Sequence, residues 1–297
     1  MWSYIIDSGA GEAGVLVDPH RPDEVLFSGF SVFVSDERAQ GYHSLLRPHI
    51  AYSMALELSS GGHPFLTLDE IGRANADTGL NLVITHYGFT AEAGDDGLGD
   101  KLRYSTYESF RKHHEGLNFR SFTNEVFDPS SQKMGVGWGF RVGWYADDQL
   151  RAADIPLDRA PCVWMTTRDD AHANPGAVFP SLLFRSFEQP HFRFNLQEQR
   201  LLKLALDGYT DETISSTLGT SVSTTKKKFR SIYEKVSDCE FSAASVELAP
   251  ARSDGARGVE VRRHLLNYLR CHPQELHPYN AIQGERLNKV SVCCRAS

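Results

Sequence analysis

The stretch that decides the fold of the C-terminal part is 194–236, which reads FNLQEQRLLKLALDGYTDETISSTLGTSVSTTKKKFRSIYEKV. Capping residues and glycines divide it into three segments, each with the apolar spacing of an amphipathic helix. The pattern predicts helices over 196–207, 210–218 and 222–236, with a tight turn between the second and the third. Helices without an intervening strand pattern predict an all-α domain in this part of the chain.

The third of these helices has the clearest two-sided pattern in the chain. One side repeats every three or four residues and is predicted to be buried, while basic residues fall on the other side. A helix of this kind, preceded by a short helix and a tight turn, has the shape that enters the major groove of DNA. The predicted buried side comprises Val222, Thr225, Phe229, Ile232 and Val236, and the basic side carries Lys226, Lys227 and Arg230.

The stretch 194–236 resembles the DNA-binding domain of LuxR-type transcriptional regulators, whose spacing it follows over 43 residues without a gap. It departs from the family pattern at Leu196, Thr213, Thr225 and Lys228, where proline, glutamate, valine and histidine are usual. Thr225 brings a hydroxyl to the buried side, which predicts looser packing of the third helix. The matching positions are Glu198, Leu202, Leu204, Gly208, Ile214, Leu218, Ser221, Thr224, Lys226, Ile232 and Lys235.

The resemblance implies that the third helix reads the groove, while the second crosses the DNA backbone and the first packs behind them. Basic side chains on such a helix neutralise phosphates or donate to guanine edges, and hydroxyls at its start favour a phosphate. A solvated face is the alternative for the basic residues, and helix capping is the alternative for the hydroxyls. The predicted DNA-binding residues are Ser221, Ser223, Thr224, Lys226, Lys227, Lys228 and Arg230.

A fourth helix is predicted over 258–270, after an interruption at 237–257 that contains proline and glycine. The resemblance implies a dimerising helix in this part of the chain, so this one either pairs two protomers or caps the core of its own chain. Arg262 and Arg263 either contact phosphates or belong to the ordinary surface. The helix-turn-helix domain with this extra helix is predicted over 191–272, and residues 273–297 are predicted to be a flexible tail.

Charge is distributed unevenly between the two parts of the chain. Residues 1–190 hold 15 basic and 26 acidic side chains, whereas residues 191–297 hold 16 basic and 12 acidic ones. The asymmetry predicts an acidic N-terminal domain and a C-terminal domain that faces nucleic acid, with chance segregation as the alternative.

Composition narrows the class of protein. With 297 residues and 41% hydrophobic side chains, the chain can bury one large or two medium cores, which excludes fibrous and wholly disordered classes. No stretch approaches about 18 uninterrupted apolar residues, and the N-terminus lacks the pattern of a secretory signal. The five cysteines have no framework spacing. We therefore expect a cytoplasmic protein that does not enter a membrane.

Residues 1–190 mix strand-like and helix-like segments, which predicts an α+β domain with an antiparallel sheet flanked by helices. A short linker is expected near Pro190, where this domain ends. Helices are predicted over 40–58, 66–76 and 100–114, the second with Thr67 and Glu70 as a capping box. Strands are predicted over 24–34, 80–89, 119–127, 134–144, 161–167 and 181–187.

The N-terminal domain is interpreted as an input domain that binds a small-molecule signal or a regulatory protein. The patterns of a phosphorylated receiver and of an acylhomoserine-lactone-binding domain do not fit, so a GAF- or PAS-like shape is an analogy only. Aromatic residues on the predicted strands form the weak candidates for a ligand pocket, with plain core packing as the alternative. Trp138 and Phe140 are predicted to share one sheet face. These candidates are Tyr87, Trp138, Phe140 and Trp144.

The sequence gives little support for a dinucleotide-binding, metal-binding or catalytic site. The glycines of 9–14 match GxGxxG, but no helix pattern follows them as a dinucleotide site requires. The histidines lack zinc-site spacing and no GxSxG motif occurs, so neither a metal, a cofactor nor a catalytic residue is assigned. The sequence thus predicts a dimeric, one-component transcription regulator that is not an enzyme. The alternatives are a protein-interaction module that mimics a sigma-factor domain, and an enzyme with an appended DNA-binding domain.

Overall fold

The structure is a computed structural model that describes residues 1–18, 20–90, 98–184, 187–238 and 259–279. The chain divides into two compact units, Met1–Phe187 and Glu188–Ser297, and its overall class is α+β. None of the helices in the described ranges is long and apolar enough to cross a membrane.

The first unit is built on a six-stranded sheet in which the strand order is β1-β2-β3-β4-β6-β5. β3 and β4 run parallel, so the sheet is mixed and the predicted antiparallel sheet is corrected. A parallel pair needs a crossover, and the helix between these two strands supplies it. The strands are β1 (Gly11–Asp18), β2 (Arg21–Val34), β3 (Leu80–Phe89), β4 (Phe119–Val126), β5 (Arg141–Trp144) and β6 (Cys162–Thr167).

Helices cover both faces of this sheet. Alternate residues of one strand enter different hydrophobic clusters, as Val163 and Met165 enter one and Cys162 and Trp164 the other. The first cluster includes residues of α1, α2, α3 and α7, and the second includes residues of α4, α5, α6, α8 and α9. The helices are α1 (Trp2–Ser8), α2 (Asp36–His43), α3 (Ile50–Ser59), α4 (Leu68–Ala76), α5 (Leu98–His114), α6 (Pro129–Gly137), α7 (Asp147–Ala152), α8 (Arg168–Ala173) and α9 (Val178–Leu183).

Several predicted elements are confirmed. The strand predicted over 80–89 is β3, and the helix predicted over 66–76 is α4 within two residues. Thr67 caps α4 in the expected capping box, in which its backbone N–H donates to a Glu70 carboxylate oxygen at 2.8 Å.

The helix predicted over 40–58 is wrong as a single element, because α2 and α3 are separate. Leu45 and His49 have positive φ values of 52° and 64°, which an α-helix does not admit. Pro48 between them provides no N–H for a helical hydrogen bond. The apolar residues keep their helical spacing across the break between α2 and α3, so the spacing alone does not reveal the break.

The strand predicted over 134–144 is also wrong, because most of it belongs to α6 and the turn that follows. Asp128 caps α6 by accepting from the Ser131 N–H at 2.8 Å, with proline in the first turn. Gly139 then reverses the chain at a φ of 89°, and only the last four residues of the prediction form β5. The strand predicted over 181–187 is likewise wrong, since helix α9 occupies its first part.

The second unit contains only helices among its described residues. They are α10 (Leu196–Leu206), α11 (Asp211–Thr217), α12 (Val222–Asp238) and α13 (Val259–Cys271). Leu265, Tyr268 and Leu269 of α13 enter the hydrophobic core that α10, α11 and α12 share. Packing of this fourth helix on the core of its own chain is confirmed, and the pairing of two protomers through it stays a prediction.

The flexible tail predicted from residue 273 is corrected in its first part. Pro273–Leu276 is a 3₁₀ helix, and Glu275 is buried with an exposed fraction of 1%. The Glu275 carboxylate accepts from the backbone N–H groups of His191 at 2.6 Å and Phe192 at 2.9 Å. Residues 280–297, the rest of the predicted tail, lie outside the described residues.

Candidate functional site

Short local interactions define α11, the turn and α12. The Thr210 hydroxyl caps α11 by accepting from the Thr213 N–H at 3.3 Å. Gly219 in the turn has a φ of 62°, a conformation that favours glycine. The Ser221 hydroxyl then accepts from the Thr224 N–H at 3.1 Å, so Ser221 caps the start of α12.

Thr225 is fully buried, but its hydroxyl does not loosen the packing of α12 as the sequence led us to expect. The Ser215 hydroxyl of α11 lies 2.9 Å from Thr225 Oγ1, and the Thr220 hydroxyl lies 3.1 Å from it. Because a buried hydroxyl is costly only when it is unbonded, this hydroxyl cluster joins α11, the turn and α12.

Three of the predicted basic residues form an exposed face on α12. Lys226, Lys227 and Arg230 are exposed, and none of them forms an ion pair with an acidic residue in the described ranges. Their spacing puts them within about 100° of one another around the helix, beside the buried Phe229. We call these three residues the basic face.

Lys228 does not belong to the basic face. Its ammonium group donates to the side-chain oxygen of Gln197 on α10 at 3.1 Å. Lys235, two turns further on, faces the same way and pairs with Glu198 at 2.9 Å. The side of α12 that carries Lys228 and Lys235 therefore contacts α10.

The hydroxyl groups at the start of α12 bond to one another. Ser221 Oγ lies 2.9 Å from Ser223 Oγ and 2.8 Å from Thr224 Oγ1, and all three residues are exposed. The structure thus brings the predicted hydroxyls together beside the first turn of the basic face. Capping accounts for Ser221, and the other two remain accessible.

Arg262 of α13 has a structural position. Its guanidinium pairs with Asp211 at 2.7 Å and lies 4.4 Å from the centre of the Phe229 ring. These contacts tie α13 to α11 and α12. Arg263 is exposed and pairs with Glu260 at 3.1 Å on its own helix.

The first unit contains a pocket of about 330 Å³ on the sheet face that α5 and α6 cover. Of the predicted ligand residues, Tyr87 and Trp138 line it. Phe140 does not line the pocket. It is buried, and its ring stacks on the ring of Trp164 with 5.6 Å between the two ring centres. Trp144 lies on the edge strand β5 and is more than half exposed.

Sequence reasoning missed one polar group that lines the pocket and one that is buried in its wall. The side chain of Asn124 is 8% exposed and lines the pocket, and it has no hydrogen-bond partner among the described residues. The buried indole N–H of Trp164 has no acceptor of normal geometry in the part of the chain that the structure describes. Its polar neighbour is the Cys162 thiol, a weak acceptor. The signal for Asn124 was its polar side chain within a predicted buried strand.

Glu125 also borders the pocket, but its carboxylate is used in the fold. It accepts from the backbone N–H groups of His49 and Ile50 at 2.8 Å each, and from the Tyr145 hydroxyl at 2.8 Å. Burial raises the pKa of Glu125 despite these bonds. The carboxylate therefore holds the start of α3 rather than a ligand.

His114 is buried against β2 and hydrogen bonds at both ring nitrogens. Its Nδ1 lies 2.7 Å from the Phe110 carbonyl oxygen, so Nδ1 carries the proton and donates. Nε2 then accepts from the Ser31 hydroxyl at 2.9 Å. Burial lowers the pKa of His114 below its usual value of 6.5.

We expect the first unit to lose stability as the pH falls from 7 to 5. A histidine held neutral by burial contributes stability above its unfolded pKa, and that contribution is lost as the pH falls towards its folded pKa. Tryptophan fluorescence during thermal unfolding measures this, because all four tryptophans belong to the first unit. His114→Gln should reduce the pH dependence, whereas the exposed neighbour change His113→Gln should not. Equal pH dependence in all three proteins would contradict this assignment.

The competing motifs do not assemble a site. Gly9 ends α1 and Gly11 begins β1, so the GxGxxG stretch opens a strand and not the helix that a dinucleotide needs. In the described ranges, no group of three or more histidine, cysteine, aspartate and glutamate residues is arranged to hold a metal ion.

Comparison with known proteins gives no family assignment. No protein-family model matches the chain, and a search of the curated proteins finds no match either. The basic face of α12 and the pocket of the first unit are the candidate functional features among the described residues.

Proposed function

We propose that this chain is a one-component regulator of transcription whose second unit binds double-stranded DNA as a helix-turn-helix domain. The observation that carries the proposal is the basic face of α12, which follows a short helix and a tight turn. LuxR-type regulators, which stretch 194–236 resembles, combine a basic recognition helix with the same sequence spacing.

The dimensions of α12 suit the major groove. The helix has 17 residues. An α-helix with its side chains is about 10–12 Å across, which matches the groove width of about 12 Å. The basic face and the accessible hydroxyls lie in the first three turns, the part of a recognition helix that contacts base edges. Helix-turn-helix domains commonly bind DNA sites that have two-fold symmetry. We therefore propose that the protein binds DNA as a homodimer.

The pocket of the first unit supports a sensing role. Its volume of about 330 Å³ lies at the lower end of the range for small-molecule sites. Its walls are mainly apolar, with several aromatic rings, and the amide of Asn124 offers a polar contact. A ligand with an apolar ring or chain and one polar group that accepts hydrogen bonds fits this lining.

The two functions are coupled in this proposal through a shift of populations. A ligand changes DNA affinity only if it binds one of two states of the protein more tightly than the other. The expected readout is therefore a change in operator affinity when the pocket is filled. No covalent chemistry is required of the first unit.

The test uses the full chain and begins with its two binding activities. Selection from a random double-stranded DNA library should enrich a sequence whose affinity falls steeply with salt. Mass spectrometry of native and then denatured protein should detect any small molecule that the pocket retains. A protein that co-purifies, together with no salt-dependent DNA binding, would favour the interaction-module alternative and overturn the proposal.

A further inference from the structure

A second cleft in the first unit is lined by charged and polar side chains. It has a volume of about 720 Å³ and lies where β3, β4 and β5 begin and β6 ends. One wall is α2, which contributes Asp36, Gln40 and His43. The aromatic pocket shares none of the residues that line this cleft.

The floor of the cleft is polar although it belongs to the sheet. Asn81 of β3 is paired with Ser121 of β4, which is paired with Thr167 of β6. Asn81 and Ser121 are 4% and 5% exposed, and the Ser121 hydroxyl donates to the Asn81 side chain at 2.7 Å. Strand positions this well buried usually carry apolar residues, so a polar row favours a polar occupant.

Three arginines converge on the same cleft. Arg120 pairs with Asp36, and the Arg168 guanidinium donates to the side chain of Asn118 and to a backbone carbonyl. Arg141 is exposed and forms no ion pair with any described acidic residue. Burial lowers the pKa of Arg168, the Asp169 carboxylate partly offsets this, and the Arg120 charge lowers the pKa further.

The charge of the cleft differs from that of the sequence around it. Asp36 and Asp169 are the acidic residues among its lining, and the Asp36 carboxylate already accepts from Arg120 and from Asn81. Residues 1–190 as a whole carry 26 acidic and 15 basic side chains. A positive cleft in an acidic part of the chain needs a reason, and an anionic ligand provides one.

We propose that this cleft binds a small polyanion bearing carboxylate or phosphate groups, with Arg141 as its main anchor. A guanidinium matches the two oxygens of either group in a bidentate pair, and Arg141 has its donors free of other ion pairs among the described residues. The volume admits a molecule larger than a single phosphate. In the floor, the Thr167 hydroxyl accepts from the Asp170 N–H and keeps its own proton to donate to one of the remaining oxygens.

The experiment is isothermal titration calorimetry of the full chain with citrate and, separately, with pyrophosphate. We expect at least one of the two to bind, and Arg141→Gln to weaken that binding by about tenfold or more, since a charge-assisted pair is removed. The control is Arg159→Gln, which removes the same charge from an exposed 3₁₀ helix whose residues do not line the cleft. It should leave the affinity unchanged.

A further variant separates this site from the basic face of α12, which also attracts anions. The double change Lys226→Ala with Arg230→Ala should not alter citrate or pyrophosphate binding if the cleft holds them. Binding by citrate alone identifies a polycarboxylate ligand, and binding by pyrophosphate alone identifies a phosphate one. The proposal is overturned if neither anion binds at millimolar concentration, or if Arg141→Gln and Arg159→Gln behave alike.

Discussion

Replacing Lys226 and Arg230 together by alanine is expected to weaken binding to a selected DNA site about a hundredfold or more near physiological salt. Each residue is exposed, lies on the basic face and is free of ion pairs among the described residues, so each can bind the nucleic acid directly. Removing one such side chain from a DNA interface costs about 1–3 kcal/mol. The slope of log affinity against log salt should flatten by about 0.9 for each phosphate that the variant no longer neutralises.

Two matched changes make this prediction specific. Lys203→Ala removes a charge from the exposed side of α10, and it should leave the affinity and the salt slope nearly unchanged. Lys228→Ala should have a smaller effect than the basic-face variants, because the Lys228 ammonium is bound to Gln197. If the double variant and Lys203→Ala weaken binding equally, the basic face does not bind DNA.

Replacing Glu275 by alanine is expected to destabilise the second unit by about 2–4 kcal/mol. The change leaves the buried N–H of Phe192 without its acceptor, at about 1–3 kcal/mol, and the part-buried N–H of His191 without its acceptor at a smaller cost. Hydrogen exchange of the α10 and α13 amides measures the destabilisation, since both helices pack in the same core. Tryptophan fluorescence should not report it, because the second unit contains no tryptophan.

The control for this prediction is Glu260→Ala on the exposed surface of α13. Glu260 pairs only with residues of its own helix among the described residues, so its removal should cost about 0.5 kcal/mol or less. Glu275→Gln should be intermediate, because the amide oxygen accepts one hydrogen bond while the amide nitrogen cannot. Wild-type protection in Glu275→Ala would show that the 3₁₀ helix does not anchor the second unit.

The helical elements of the second unit were largely predictable because their signals are local. Asn195 and Thr210 precede α10 and α11 and cap them through residues two or three positions later. Gly208 has a φ of 83° just after α10. Such signals operate within one turn and are visible in sequence, and the same holds for α4 in the first unit.

The features that sequence reasoning missed depend on distant partners. Glu275 and His191 are 84 positions apart, so no window of sequence reveals why residue 275 is buried. The polar row of the second cleft arises from the register of β3, β4 and β6, which sequence does not specify. The partners of the Thr225 hydroxyl, Ser215 and Thr220, are only ten and five positions away, but their contact depends on how α11 packs against α12.

The position of β6 between β4 and β5 has a consequence for how the sheet forms while the chain is being synthesised. When β4 leaves the ribosome it can pair with β3, but its other edge stays open until β6 follows 35 residues later. At ordinary translation speeds that interval lasts about 2 to 7 seconds. β5 emerges within this interval and has no partner strand until β6 arrives. A nascent chain halted before Thr167 therefore exposes one open strand edge and one unpaired strand, which makes it a target for chaperones or for aggregation.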